Sequence, residues 1–340
     1  MSTTTVNAFA VTTSHHFQQV QYDVDTNTLK EYEVFVRIAA CGICHTDFTV
    51  FGIKGQVPGH EMVGIVEAVG PNSQVSIGQR VGLGWQRNSC HECRSCKKGW
   101  ENLCSDRKTF RDGYGGYADG VVWDSRFVYV VPDEIKTEHA GPLFCAGATV
   151  YSALKHYNKD ADEDYRVAVL GIGGLGHLGL QFARAFGWHV TALSGSPNKE
   201  QEAKEFGAHD FINTNDPEAV KGALKSFDFI LNTVSGDVDW NLYMSMLRPH
   251  GKLCIVGIPK NKINVDGLAF IAGSRSLVGS LVASPAENRE MLSFVAKHGI
   301  RPKTEILPMD SVENVEAAVD KVEKNTARYR VVITTKYFDK

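Results

Sequence analysis

No stretch of this sequence approaches the ~18 consecutive apolar residues that a membrane-crossing helix needs. The N-terminal segment, residues 1–14, has no basic region leading into an apolar one, so a secretory signal peptide is not expected. Neither sign of charge dominates. The formal net charge is −3 and 22% of residues are charged, which offers nothing for a nucleic acid or an anionic membrane to hold. There is no internal repeat and no low-complexity segment. What remains is a chain of 340 residues, 43% of them apolar, which is ordinary globular composition and enough length for two domains with separate cores. A cytoplasmic protein is expected, with no nucleic-acid and no membrane partner. In a reducing compartment its eight cysteines are better explained by metal than by disulfides.

The pattern of residues changes near position 150. Before it, short runs rich in Val and Ile, such as 33–38, 64–69 and 127–131, are separated by Gly, Pro and Asn, as in a β-rich domain. After it, strands alternate with helices. Residues 166–170 are an apolar strand, and 171–176 a Gly-rich turn. A helix follows, with Leu175, Leu178, Phe182 and Phe186 at helical spacing and Gly187 at its end. A strand at 189–193 and a helix at 199–206 come next. Further strands are predicted at 227–233, 252–258 and 276–281. Such alternation predicts a doubly wound parallel sheet of the Rossmann type. Two more helices, 287–297 and 311–323, and a strand, 330–335, form a tail that is expected to return to the first domain. The expected class is α/β. Residues 1–147 and 284–340 form a β-rich domain and 148–283 a nucleotide-binding domain.

Cys90, Cys93 and Cys96 fall at C-x-x-C spacing, and Cys104 follows closely. A tight loop can point these thiolates inward, and four thiolates close the shell of a structural Zn²⁺. The shell would carry a formal charge of −2, which Arg94, Lys97, Lys98, Arg107 and Lys108 could offset, although a solvated basic loop reads the same way. A second set, Cys44, His60 and Cys145, is spread over a hundred residues and reads as three ligands with a fourth position open, the pattern of a catalytic zinc. Cys41 and Cys254 read as buried thiols without a chemical role.

The segments around the second set are Cys41-Gly-Ile-Cys44-His45-Thr46-Asp47, Pro58-Gly59-His60-Glu61 and Gly141-Pro-Leu-Phe-Cys145-Ala-Gly. Together with the cysteine lobe and the Gly-rich turn they resemble the medium-chain zinc alcohol dehydrogenases over nearly the whole chain. The resemblance is strongest to the branch of cinnamyl alcohol dehydrogenases and bacterial aldehyde reductases. It implies a GroES-like catalytic domain, two Zn²⁺ per chain, and a homodimer. It also implies an NADP(H)-dependent oxidoreductase acting on aldehydes and primary alcohols. By the same resemblance Asp47 orients the ligand His60, Glu61 lies near the metal, and Thr46 carries the proton between substrate oxygen and cofactor. His45 and Arg330 would meet the cofactor pyrophosphate, and Val256, Gly257 and Ile258 the nicotinamide. Trp85 resembles a tryptophan of the substrate pocket. Two departures stand out. Many relatives have a histidine relay residue where this chain has Thr49, which leaves the outer relay to water or to Thr49 itself. The segment between Asp47 and His60 is also short, which predicts an open pocket and broad aldehyde acceptance.

Gly171-x-Gly173-x-x-Gly176 follows a strand and opens a helix, the context in which this spacing binds a dinucleotide. Gly171 makes the turn, Gly173 lets the pyrophosphate approach, and Gly176 packs the helix on the sheet, with Gly174 and Leu175 completing the loop. An NAD site places an acid at the tip of the next strand. Here that tip is Ser194-Gly195-Ser196, followed by Lys199. Hydroxyls and an ammonium suit a 2′-phosphate, so the cofactor is expected to be NADP(H). An NAD-using polyol or formaldehyde-type dehydrogenase of the same superfamily is the alternative enzyme. A protein that senses NADPH without turnover is the alternative outside catalysis.

Overall fold

The end of the chain completes the sheet that its beginning starts. Strand Arg330–Thr334 lies antiparallel to Glu33–Ile43, with Val331 opposite Ile43. This pairing comes from a computed structural model that describes residues 3–13 and 15–338. Met1, Ser2, Ser14, Asp339 and Lys340 lie outside the described residues, and with them part of the N-terminal segment read above. The chain divides into one unit of Met1–Cys145 with Ala283–Lys340, and a second of Ala146–Val282.

In the first unit the principal sheet runs Thr304–Pro308, Arg330–Thr334, Glu33–Ile43, Glu61–Val69, Arg80–Leu83, Val128–Val130, with Gly120–Asp124 also paired to Glu33–Ile43. The strand predicted at 33–38 continues to Ile43, and the one predicted at 64–69 begins at Glu61. Ala40 and Gly42 are poor strand formers, but the partner strands on either side hold them extended. The strand predicted at 127–131 is only Val128–Val130, because Asp124 caps a 3₁₀ turn at Ser125–Phe127. The core of the unit gathers Phe35, Ile38, Phe51, Trp123 and Phe127. Helix Val312–Glu323 closes over it with Val315, Ala318, Val319 and Val322 on one face, and Ser311 caps its first turn. Helix Pro285–His298 starts at a Ser284–Glu287 capping box and stops at Gly299, whose φ is +66°.

The second unit is a six-stranded parallel sheet. Its strands are β1 (Arg166–Leu170), β2 (His189–Ser194), β3 (Asp210–Asn213), β4 (Phe227–Asn232), β5 (Leu247–Ile255) and β6 (Ser276–Gly279). They lie in the order β3-β2-β1-β4-β5-β6, the expected Rossmann arrangement. Helix Gly176–Ala185 follows β1, and Gly187 ends it with a φ of +90°. The helix predicted at 199–206 is Glu200–Glu205, preceded by a 3₁₀ turn that Pro197 starts. The strand predicted at 252–258 begins earlier, at Leu247, and stops at Ile255. There the N–H groups of Val256 and Gly257 both turn to Asn232 O. Strand β6 ends at Gly279 rather than 281. Among the described residues no helix is long and apolar enough to cross a membrane.

Candidate metal centres and nucleotide loop

Cys44 stands where strand Glu33–Ile43 turns into a 3₁₀ helix, His45–Val50. The Asp47 carboxylate accepts the Cys44 N–H at 3.0 Å and so fixes the turn that presents the thiol. His60 precedes strand Glu61–Val69. It is reached through Gly59, whose φ is +101° and where a Cβ would lie 2.8 Å from Gly116 N, so only glycine fits. Cys145 sits on a single π-helical turn, Leu143–Gly147. The Sγ atoms of Cys44 and Cys145 are 3.8 Å apart. Two ligands at Zn–S bonds of about 2.3 Å in a tetrahedron stand about 3.8 Å apart, so the spacing fits zinc. His60 Nε2 is buried and has no hydrogen-bond partner. A ligand atom from each of Cys44, His60, Glu61 and Cys145 lies within 4.8 Å of the others.

Around these groups the polar atoms are ordered by one carboxylate. Asp47, which has no exposed surface, takes His60 Nδ1 at 2.6 Å and Gly59 N at 3.2 Å on Oδ1, with Tyr117 OH at 3.4 Å on Oδ2. The Nδ1 contact turns His60 Nε2 toward the thiols. Burial disfavours a charged His60, but the Asp47 charge and hydrogen bond, with Cys44, raise its basicity well above the usual range. The hydrogen bond from Cys145, opposed by burial and helped by His60 and Arg330, holds Cys44 well below the ordinary thiol pKa. Glu61 is pushed up to about 7 by burial, which the Arg330 charge only partly offsets. Its Oε1 accepts from Arg330 Nη2, and its Oε2 has no partner. Arg330 also donates to Ile43 O at 3.1 Å, so its guanidinium lies inside the first unit beside Glu61.

Thr46 is half-buried, its N–H 3.5 Å from Cys44 Sγ, and its hydroxyl makes no hydrogen bond among the described residues. Thr49 is committed elsewhere. Its hydroxyl donates to Thr46 O at 2.6 Å and accepts from Arg111 Nη2 at 2.7 Å. The Thr49 proton therefore lies on a backbone carbonyl in this arrangement. His45 is exposed, its ring 5.2 Å from that of Phe48. Trp85 is half-buried against the core, with the Arg107 guanidinium 5.3 Å from its ring. Sequence reasoning missed Phe110, whose ring packs tilted against His60 with centroids 4.8 Å apart, and Arg111 beside it. No local signal marks either residue.

The cysteine lobe is a separate, closed cluster. Cys90 Sγ lies 3.9 Å from Cys96 Sγ and 3.5 Å from Cys104 Sγ, and Cys93 Sγ is 3.6 Å from Cys96 Sγ. Four sulfurs at these separations fit a tetrahedral S₄ zinc site. The Glu92 and Cys93 N–H groups draw the Cys90 thiol down to about 7, toward the thiolate a metal needs. His91 turns away, to 5.7 Å from the Phe127 ring. Of the five basic residues, Arg107 reaches the lobe through Cys104 O at 2.8 Å. Lys98 lies over Trp100, and Lys108 faces Asp112. Cys41 and Cys254 are buried, and burial raises both thiols.

In the second unit Gly171 leaves β1 with a φ of +86°. Thr233 Oγ1 ties this turn down by donating to the carbonyls of Leu170 and Gly171, both 2.9 Å away. A Cβ on Gly176 would lie 1.8 Å from Gly171 O, whereas one on Gly173 would meet nothing within 4 Å. No backbone carbonyl takes the N–H groups of Gly173, Gly174 or Leu175 among the described residues. A helix N-terminus with free N–H groups and an open approach fits a pyrophosphate. At the end of β2 the buried Ser194 Oγ accepts Ser196 N at 3.1 Å, and Ser196 itself is exposed. Lys199 Nζ reaches back to Ile172 O at 2.7 Å, which sets its charge between the serine turn and the glycine loop. Asn215, not anticipated from sequence, holds Gly195 O at 2.8 Å from the end of the neighbouring β3. Val256 and Gly257 follow β5, and a Cβ on Gly257 would lie 2.5 Å from Val234 O. Ile258 is 81% exposed. Gly171, Ser194 and Val256 all stand at carboxyl ends of strands, where doubly wound sheets take ligands.

The chain is similar to known proteins over most of its length. Residues 30–133 match the alcohol dehydrogenase GroES-like domain and residues 174–297 the zinc-binding dehydrogenase model. The chain is 41% identical over 329 residues to the probable formaldehyde dehydrogenase AdhA of Bacillus subtilis, with 92% of this chain and 93% of that one covered. It is 39% identical over 321 residues to the aldehyde reductase AdhA of Synechocystis, with 92% and 94% covered. The crystal structure of a cinnamyl alcohol dehydrogenase from Helicobacter pylori, complexed with NADP(H), superposes with a TM-score of 0.87. It is 29% identical and covers 99% of each chain.

Proposed function

The chain belongs to the zinc-dependent alcohol dehydrogenase family, and we propose that it is an NADPH-dependent aldehyde reductase, reversibly an alcohol dehydrogenase. The observation that carries this reading is the open three-ligand set, Cys44, His60 and Cys145, with a free hydroxyl, Thr46, beside it. Bound there, Zn²⁺ supplies Lewis acidity toward a carbonyl oxygen, and NADPH supplies the hydride. The chain does the rest. Asp47 holds His60 in the tautomer that offers Nε2 to the metal. Thr46 Oγ1 binds the substrate oxygen and moves its proton. Arg330 keeps the Glu61 carboxylate compensated beside the ligands. Cys90, Cys93, Cys96 and Cys104 hold a second, structural zinc. Residues 1–147 and 284–340 act as the catalytic domain and 148–283 as the nucleotide domain. In the latter the Gly171–Gly176 turn takes the pyrophosphate, and Ser194, Ser196 and Lys199 take the 2′-phosphate. His45 meets the pyrophosphate, and Val256, Gly257 and Ile258 the nicotinamide. Trp85 contributes to the substrate pocket.

A homodimer fits the same reading. Among the described residues strand β6 pairs on one side only, with β5, and in the same unit Ile258, Leu268 and Ile271 are exposed by 81%, 70% and 78%. A second copy bringing the same edge would cover these side chains and continue the sheet. The cytoplasm suits a chain whose cysteines serve as metal ligands.

The test is oxidation of NADPH against NADH by zinc-loaded protein with cinnamaldehyde. Two or more charge-assisted bonds to the 2′-phosphate predict a preference for NADPH of about 100-fold in kcat/KM. Turnover with NADH alone keeps the enzyme and removes the role of Ser196 and Lys199. Loss of turnover on chelation with NADPH binding retained separates the enzyme from a sensor, which would show no turnover to lose.

A further inference from the structure

Arg111 is a cation without a counter-ion at the edge of the candidate zinc site. It is exposed and pairs with no carboxylate among the described residues. Its neighbour Asp112 is occupied, accepting from Thr109 N at 2.8 Å and Thr109 Oγ1 at 3.3 Å. The guanidinium is nonetheless held in place. Nη2 donates to Thr49 Oγ1 at 2.7 Å, and Cζ lies 6.0 Å from the ring centroid of Phe110, which itself packs tilted against His60. The segment that carries it is rigid as well. Residues Phe110–Asp112 form a 3₁₀ turn closed by the Thr109–Asp112 capping box, and Gln56 Nε2 binds the carbonyls of Phe110, at 3.3 Å, and Gly113. Thr49 in turn rests on Thr46 O. A fixed positive charge therefore stands one residue away from both the ligand His60 and the proton-carrying Thr46.

An arginine has five N–H donors in a planar fork, and this one spends a single Nη2 bond on Thr49. Free donors in that geometry match a carboxylate. We propose that Arg111 is a substrate-binding residue that selects aldehydes carrying a carboxylate distal to the carbonyl, so that the metal site takes one end of the substrate and Arg111 the other. This rests on the aldehyde reductase reading above and narrows its substrate class from aldehydes at large to anionic ones.

The experiment compares ω-carboxy aldehydes of several lengths, including 4-formylbenzoate, each against its uncharged amide of the same shape, with NADPH and zinc-loaded protein. For at least one length the wild type is expected to favour the acid by about tenfold or more in kcat/KM, chiefly through KM. Arg111→Met should abolish that preference and Arg111→Lys restore part of it. A residue that only braced Thr49 would change acid and amide alike. Equal turnover of acid and amide at every length, or a preference that survives Arg111→Met, overturns the proposal and leaves the aldehyde reductase intact. No turnover of any aldehyde overturns the reading beneath it, and the proposal with it.

Discussion

Replacing Asp47 by Asn removes one oxygen from a carboxylate that serves four donors, His60 Nδ1, Gly59 N, Cys44 N and Tyr117 OH. The amide has two ways to sit. With its oxygen toward His60 and Gly59, its NH₂ faces the Cys44 N–H and leaves that buried donor unpaired, at a cost of about 1–3 kcal/mol. With its NH₂ toward His60, Nδ1 must become the acceptor. The ring proton then moves to Nε2, the atom that faces the thiols, and the imidazole can no longer bind a metal there. Either way the Cys44–His60 geometry weakens, and losses of this kind are about 10–100-fold in metal affinity. The cysteine lobe shares none of these bonds. Asp47→Asn should therefore release one of its two zinc ions per chain at a chelator concentration about 10–100 times lower than wild type needs, and hold the other unchanged. Metal content by mass spectrometry after graded chelation reads this directly. Asparagine is the right substitution because Asp47→Ala would strip all four donors of their acceptor. At about 1–3 kcal/mol each that approaches a whole protein's stability of roughly 5–15 kcal/mol. Two zinc ions retained by Asp47→Asn at wild-type chelator resistance would refute the role given to this carboxylate.

Two further substitutions separate the nucleotide loop's packing from its binding. Gly176→Ala places a methyl 1.8 Å from Gly171 O, which Thr233 holds fixed, so it should destabilise the protein by about 3 kcal/mol or more and lower its Tm. Gly173→Ala meets no protein atom within 4 Å, so it should keep the wild-type Tm and lose NADPH affinity, read by fluorescence titration. Wild-type affinity in Gly173→Ala would place the pyrophosphate elsewhere. Thr46→Ala should keep both zinc ions and lower kcat by about 100-fold, a usual contribution for a proton-transfer group. Turnover near wild type would take Thr46 out of the mechanism.

What could be read from the sequence is what a few neighbouring residues decide. The sulfur spacing of the Cys90–Cys104 lobe and the Gly171–Gly176 turn each lie within one short segment, and each is where the spacing places it, whereas the helix predicted at 287–297 begins at Pro285 because an unread Ser284–Glu287 capping box starts it. The doubly wound parallel sheet was legible too, from the alternation of strands and helices, although the strand Asp210–Asn213 at its edge was not predicted. Contacts across the chain were not. Arg330 meets Glu61 from a strand whose position is set by pairing with Glu33–Ile43, and that pairing also keeps Ala40 and Gly42 extended against local preference. Strand β5 stops at Ile255 because Asn232, on β4, captures the next two N–H groups. The same distinction separates reaction from specificity. Metal ligands and a phosphate loop need scarce residue types in set patterns, so they show in one dimension. The surroundings of the open metal position are assembled from distant segments, and any residue type can arrive there. Thr49 alone suggested only a missing histidine. The fold sets the guanidinium of Arg111 upon it from 62 residues away, and gives the site a charge that its own motif does not contain.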